Sequence, residues 1–444
     1  MYTIRELKPQ DIEQYLTIYL NAYPAFKDLD AACYEEHRQR NLRNIQLPDV
    51  EYVGLFDGET LMASMKLVHF DMNLYGVMTP ALGLMSLAVH PLHKKKGLAL
   101  QMMKYYEDRA KELNSPVLPL LPFNITFYRN MGYGLGSKRA LYHLPTVNLP
   151  KGGITRDLRF LNEDDFDAMI DCYTAAAAVT HGMIRKTGEE LGDLRADEVT
   201  IRLGAFQDGR MTGYLAYRFE NASETNFTQN RINVTELIHL DAETLTSFLE
   251  YLRRQADLAQ SVKISSGDEN FYHILSDPQD LSMEYLPYGY LQVSREFIGY
   301  MYKIVDYPEF FRLTADRPTG MDTVTARIEY EDAFAKAVRY LVMEAGGPQG
   351  GWRLLEQGTL AAGASADPAG ASSDEAGASA DEAGASADVT IRCSESDLNA
   401  LLMNAARLQP LYELGAVRTD DPAALRRLDA TLYYSQKPYS NTDF

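Results

Sequence analysis

The chain is poor in cysteine and tryptophan, in basic charge and in long apolar runs, and each shortage excludes something. Cys33, Cys172 and Cys393 are the only cysteines among 444 residues and lie far apart, without CxxC or histidine-rich spacing. They frame neither a disulfide scaffold nor a zinc site, so all three read as buried thiols and no metal is expected. No stretch approaches the roughly 18 unbroken apolar residues that a membrane helix needs, and the start, MYTIRELKPQD, is too polar for a secretory leader. The expectation is a cytosolic protein without a membrane partner. Forty-three Lys and Arg stand against 62 Asp and Glu, a net charge of −19. That balance repels nucleic-acid phosphates and would concentrate cationic small molecules near an acidic cleft.

What is present is the make-up of a folded protein, 46% hydrophobic and 24% charged, long enough for about three domains. Arg5, Leu7, Asp11, Ile12, Tyr15, Leu16 and Tyr19 give an extended start followed by apolar residues at helical spacing. Arg159, Leu161, Asp165, Phe166, Met169, Ile170 and Tyr173 repeat the pattern at an offset of 154. Leu55-Phe56-Asp57-Gly58 is echoed by Ala205-Phe206-Gln207-Asp208-Gly209, each placing Asp-Gly where a hairpin turns. Two echoes in the same order predict a duplicated domain, at about 1–150 and 151–290.

A third region, 291–444, carries strand-like runs at 301–306, 324–330 and 389–393 and another at 430–434. Leu398, Leu401, Leu402, Ala405 and Leu408 predict a helix capped by Ser394 or Ser396, and Asp421-Pro422 opens a further one. Inside this region residues 362–388 repeat AGASADP-like heptads of small and acidic residues. Such residues bury too little apolar area to offset backbone ordering, which predicts a disordered surface insert.

The chemistry concentrates in LGLMSLAVHPLHKKKGLALQMMKYYEDRAKEL, which begins at Leu82. An apolar strand runs through Val89 and turns at Pro91, and a helix follows with the stripe Ala99, Met103, Tyr106, Ala110 and Leu113. Lys94, Lys95 and Lys96 precede it, at the positive end of its dipole, where cations are disfavoured unless an anion is present. Gly97 sits where the backbone must come close to something. Free amides, lysines and a glycine together suit a phosphate guest. The other reading is a solvated basic turn. The order Lys94-x-x-Gly97-x-Ala99 resembles the acetyl-coenzyme A signature of the GNAT N-acetyltransferase superfamily, with Lys in the place of its usual Arg or Gln.

That resemblance implies that Leu87, Ala88 and Val89 offer backbone groups to pantetheine, and that Lys94, Lys95, Lys96, Gly97, Leu98 and Ala99 hold the pyrophosphate. Downstream, Phe127-Tyr128-Arg129-Asn130-Met131-Gly132-Tyr133 resembles the superfamily's closing segment. Carried over, Tyr128 is the general acid for the leaving thiolate, against the alternative of a packing tyrosine, with Tyr133 beside it. Asn124 is a candidate cofactor contact or a helix cap. The corresponding part of the second lobe, DAETLTSFLEYLRRQ, has neither glycine nor basic cluster and should not bind coenzyme A.

One equipped GNAT domain, one degenerate copy and a C-terminal stretch, DVTIRCSESDLNALLMN, that resembles sterol carrier proteins together resemble the Eis (enhanced intracellular survival) acetyltransferases. The implied fold class is α/β with mixed sheets, in tandem GNAT folds followed by a sterol-carrier-like domain. The implied activity is transfer of acetyl from acetyl-coenzyme A to primary amines of polycationic, aminoglycoside-like molecules at one or several positions. In that family the terminal carboxylate enters the active site, a role that falls here to Phe444, with Asp443 adding negative charge. Asp28, Asp30, Glu35 and Glu36 are candidate pocket residues or plain surface charges. The resemblance further implies a homo-oligomer, a hexamer. A lysine or peptide acetyltransferase, and a lipid-binding protein with a vestigial acetyltransferase fold, remain as alternatives.

Overall fold

The structure is a computed structural model of the whole chain and describes residues 2–23, 31–282, 285–286, 289–360 and 386–442. The chain folds into two compact units. One comprises Met1–Gly136, Thr187–Glu189 and Tyr300–Phe444, and the other Ser137–Lys186 and Glu190–Gly299. Most of the repeat insert, like Asp28, Asp30, Asp443 and Phe444, lies outside the described residues.

The first unit opens with β1 (Tyr2–Glu6), α1 (Ile12–Ala22) and α2 (Ala31–Asn44). The meander β2 (Val50–Asp57), β3 (Thr60–Leu74) and β4 (Val77–Val89) follows. Next come α3 (Leu98–Glu112), β5 (Val117–Leu120), α4 (Ile125–Arg129) and β6 (Gly134–Leu135). Asp57 and Gly58 make the hairpin turn between β2 and β3, Gly58 in the left-handed region. The sheet runs β1-β2-β3-β4-β5, then the strand Met301–Ile304, then β6. That distant strand pairs antiparallel with both β5 and β6.

The second unit holds β7 (Lys138–Pro145), β8 (Asp157–Phe160), α5 (Phe166–Val179), β9 (Ile201–Gln207), β10 (Arg210–Asn221), β11 (Asn230–His239), α7 (Ala242–Arg253) and β12 (Ala259–Ser266). Between α5 and β9 lies α6 (Gly188–Ala196), and after β12 come β13 (Tyr285–Leu286), β14 (Tyr290–Leu291) and β15 (Arg295–Ile298). Its large sheet has the order β15-β7-β12-β11-β10-β9-β8.

The duplication read from the sequence is visible atom by atom. Arg5 forks onto Asp11 at 2.8 and 3.1 Å and lies 3.9 Å over the Phe56 ring. Arg159 forks onto Asp165 at 2.9 and 2.7 Å and lies 4.3 Å over Phe206. In each, the first strand is clamped to the start of the first helix and to the strand before the Asp-Gly turn.

The breaks between units fall elsewhere than at 150 and 290. A parallel β4–β5 pair exposes β5's far edge, which local chain cannot cover; Met301–Ile304, hereafter β16, covers it, and β7 does the same for β12. Residues 138–145 therefore belong to the second sheet and 301–304 to the first.

After β16 come α8 (Tyr307–Leu313), β17 (Val324–Glu331), β18 (Val338–Ala345), β19 (Trp352–Thr359), β20 (Val389–Ser394), α9 (Glu395–Leu402), α10 (Leu408–Glu413), β21 (Arg418–Thr419) and α11 (Pro422–Thr431). The last strands form a five-stranded sheet in the order β19-β18-β17-β20-β21. Ser394 caps α9 by accepting from the Asp397 amide, and Asp421 caps α11 through Ala423 and Ala424. Residues 430–434 were expected as a strand, yet α11 runs through Thr431. Its cap, Pro422 and the buried Leu425, Leu428 and Thr431 at helical spacing outweigh the β preference of the adjacent tyrosines.

Candidate functional site

Strand β4 is where the sheet opens. It pairs with β5 only at Ala81↔Val117 and Leu84↔Leu120, while its last residues pair with β3 alone, as Ala88↔Ser64 and Val89↔Ala63. Between these stations Ser86 and Leu87 face the single residue Met65, a bulge, and Ser86 takes φ +53. The Tyr23 hydroxyl donates to the Leu87 carbonyl at 3.3 Å, and Tyr15 bonds the Ser86 side chain. Helix α3 is anchored to the same strand by Tyr106, whose buried hydroxyl donates to the Leu82 carbonyl at 2.6 Å.

The turn into α3 holds two left-handed residues, the second directly before the right-handed helix that starts at Leu98. Lys95 has φ +64, and Gly97, the residue before the helix, has φ +75. Alternation of this kind turns successive amides toward one side and forms an anion-binding nest. A Cβ at Gly97 would meet nothing within 4 Å. The glycine is thus needed for its backbone angle, and the expected close approach is absent within the chain itself.

These features converge on one cavity of about 630 Å³. Leu87, Ala88 and Val89 form one wall, and Lys94, Lys95, Gly97, Leu98 and Ala99 another. Phe123, Phe127, Met131 and Tyr23 complete it. Of the residues singled out from the sequence, eight are brought together here. Lys96 turns aside, its ammonium 3.0 Å from Nδ1 of His93. Burial and then the Lys96 charge hold His93 below its ordinary pKa, which suits a neutral ring accepting that proton.

Asn124 caps α4, its Oδ1 accepting from the Phe127 amide at 3.0 Å. Tyr128 is 3% exposed and stands behind the cavity wall, edge-on to Phe123, Phe127 and Tyr133 at centroid distances of 5.6, 5.1 and 5.8 Å. Burial, and secondarily Tyr23, raises its phenol above the ordinary value and keeps the proton on oxygen. Tyr23 itself is pushed up to about 12 by burial. Glu35 and Glu36 are exposed on α2, and Glu35 accepts from Arg38 and Gln39 at 3.3 and 2.6 Å. Neither lines the cavity.

Sequence reasoning missed Tyr23, Ser86 and Phe123, and named Phe127 and Met131 only within the closing segment. A left-handed serine inside a strand leaves no composition signal, because the bulge is fixed by pairing with β3. In the second unit the matching helix α7 is capped by Asp241, whose carboxylate accepts from the Thr244 amide at 2.7 Å. An anion already occupies that helix start, where β4 leads instead to lysines and glycine.

Among the described residues, no group of three or more His, Cys, Asp or Glu could hold a metal ion, and no helix is long and apolar enough to cross a membrane.

Comparison with known proteins agrees with this geometry. Residues 3–136 match the family profile described as an acetyltransferase (GNAT) domain, and residues 185–293 match a second profile of the same description. An uncharacterized N-acetyltransferase of Streptomyces avermitilis is 22% identical over 243 residues. That match takes in 51% of this chain and 59% of that protein, so the chain spans less than two thirds of its length. Among solved structures, a probable N-acyltransferase of Enterococcus faecalis superposes with a TM-score of 0.74 at 16% identity, covering 100% of both chains. Eis1 of Mycobacterium abscessus gives 0.72 at 17%, again over 100% of both. A GCN5-related N-acetyltransferase of Kribbella flavida gives 0.71 at 17%, over 100% of this chain and 98% of that one. At these identities the likeness is one of fold.

Proposed function

Since the chain belongs to the GNAT acetyltransferases, as an acyltransferase enzyme with two such domains, we propose that its first domain transfers acetyl from acetyl-coenzyme A to primary amines of polycationic small molecules. The observation that carries the reading is the junction of an open strand end with an amide nest in one cavity. The donors present fit the group: β4 amides beyond Leu84 for an extended amide chain, and the start of α3 with Lys94 and Lys95 for a pyrophosphate. Bound acetyl-coenzyme A would supply an activated thioester.

The residues of the chain then have distinct tasks. The amide of Leu87, or a neighbour across the bulge, would meet negative charge growing on the carbonyl oxygen. Tyr128 would return a proton to the departing sulfur, and its raised pKa keeps that proton available. A raised pKa also makes a weaker acid, but the walls that desolvate the phenol would desolvate a thiolate too and raise its basicity in step. The Phe444 carboxylate would take a proton from the amine, and Asp443 would add negative charge. Aminoglycoside-like acceptors are favoured by the net charge of −19. Asp241 at the start of α7 supports a second domain that leaves acetyl-coenzyme A alone. The sheet of β17 to β21 is proposed as sterol-carrier-like, and the protein as a cytosolic hexamer, which light scattering would read as about six times the 49.9 kDa chain.

The test is release of coenzyme A thiol with kanamycin or tobramycin as acceptor. Wild type, Tyr128→Phe and a chain with residues appended after Phe444 are compared. Turnover that falls in both variants supports the assignment; an unaffected extended chain removes Phe444 from it, and no turnover with any amine refutes the activity. A strong preference for lysine peptides would replace the small-molecule acceptor with a protein one.

A further inference from the structure

A second cavity, of about 770 Å³, opens further along α3 and shares no residue with the first. Its walls come from α3, the end of β16, the start of α8 and strands β17 to β19. On the floor lies Lys303, 3% exposed, with its ammonium 2.8 Å from Oε1 of Glu107 and 3.4 Å from Oε1 of Glu395. Lys303 also donates to the Met131 carbonyl at 2.8 Å, and Glu395 accepts from the Ala333 amide at 2.8 Å. Among the described residues, Oε1 of Glu107 meets no partner besides that ammonium.

One ammonium therefore serves two buried carboxylates. Burial raises Glu107 to about 7 against the pull of Lys303, and burial raises Glu395 as well. Arg339 pairs with Asp332 at 3.1 Å, and Lys104, Lys111, Asp108 and Asp306 also line the cavity, with Lys111 adding a weaker pull on Glu107. Tyr307, Tyr330, Phe334 and Tyr340 supply aromatic wall, and rings beside carboxylates recognise organic cations. The volume is that of a small-molecule site.

We propose that this cavity binds a small organic ammonium compound as a ligand separate from the acetyl acceptor. Its N–H groups complete the Glu107–Glu395 pair, and its carbon skeleton lies against Tyr330, Phe334 and Tyr340. An ammonium offers three donors and no acceptor, which matches two buried carboxylates that share the single ammonium of Lys303; an anion would face those carboxylates.

The experiment is calorimetric titration of the full chain with 1,5-diaminopentane at pH 7, in two buffers of different ionisation heat. Wild type, Glu107→Gln and Phe334→Leu are compared. Wild type should bind at this site and release about half a proton, because a carboxyl with a pKa of about 7 is half protonated there and a cation drives it to ionise. Glu107→Gln should abolish proton release and weaken binding about tenfold, a loss of about 1.4 kcal/mol. Phe334→Leu should weaken binding with proton release retained, and coenzyme A turnover should persist in both variants. Absence of binding at millimolar diamine overturns the proposal, as does unchanged affinity and proton release in Glu107→Gln. Should that variant fail to fold, unchanged affinity in Phe334→Leu overturns it equally.

Discussion

At the scale of the residue, Tyr128 lets packing be tested apart from the proposed chemistry, because its ring makes the contacts and its hydroxyl would carry the proton. Phenylalanine keeps the three ring contacts, so Tyr128→Phe should melt within a few degrees of wild type. Loss of a positioned proton donor is worth about 10²–10⁴ in rate. The expected result is a kcat lower by about a hundredfold with KM for acetyl-coenzyme A little changed, read by steady-state kinetics. Glu107 makes a different prediction, about stability. Its folded-state pKa is raised to about 7, so between about pH 4 and 7 the folded chain holds a proton that the unfolded chain has lost. That contribution is fully present below about pH 4 and disappears as pH rises through about 7. Glu107→Gln should flatten this slope in chemical denaturation across the window. The run FYRNMGYG marks Tyr128 as a candidate, whereas nothing in the sequence marks Lys303 and Glu395, since the residues that make them a cluster with Glu107 lie about 90 to 290 positions apart.

At the scale of the element, the start of α3 depends on a backbone angle. Gly97→Ala places a Cβ in open space but at φ +75, a conformation that costs an L-residue roughly 1–2 kcal/mol. Denaturation should show a loss of about that size. Relaxation of the turn should also raise KM for acetyl-coenzyme A, whereas Gly192→Ala, a helical position with nothing within 4 Å, should do neither. The two arginine clamps give a matched pair. Asp11 is held below its usual pKa first by its hydrogen bonds to Arg5, and Asp165 likewise by Arg159. Lowered carboxylates stabilise above their unfolded pKa and lose that contribution as pH falls. Arg5→Ala and Arg159→Ala should each cost about 1–3 kcal/mol at pH 7, and the gap to wild type should narrow below about pH 4. These elements were readable because period, caps and Asp-Gly turns are local. The bulge at Ser86 and the run of the helix opened at Pro422 on through Thr431 were not, because a partner strand decides the first and burial of Leu425 and Leu428 the second.

At the scale of the whole molecule, strands are traded across the sequence boundaries. Strand β7 joins the second sheet, and β16 joins the first between β5 and β6. Repeats along the chain revealed two domains but not this trade, since a four-residue apolar strand such as MYKI carries no address. The trade also sets an order of events during synthesis. When residue 136 leaves the ribosome, β5 still lacks its neighbour β16, and it waits while residues 137–300 are made. At about 5–20 residues per second that is roughly 8–30 s with an apolar edge uncovered. A nascent chain halted there should be captured by chaperones and cleaved readily, and one extended past residue 304 should resist. Translation speed through the second domain would thereby govern the yield of a functional first one.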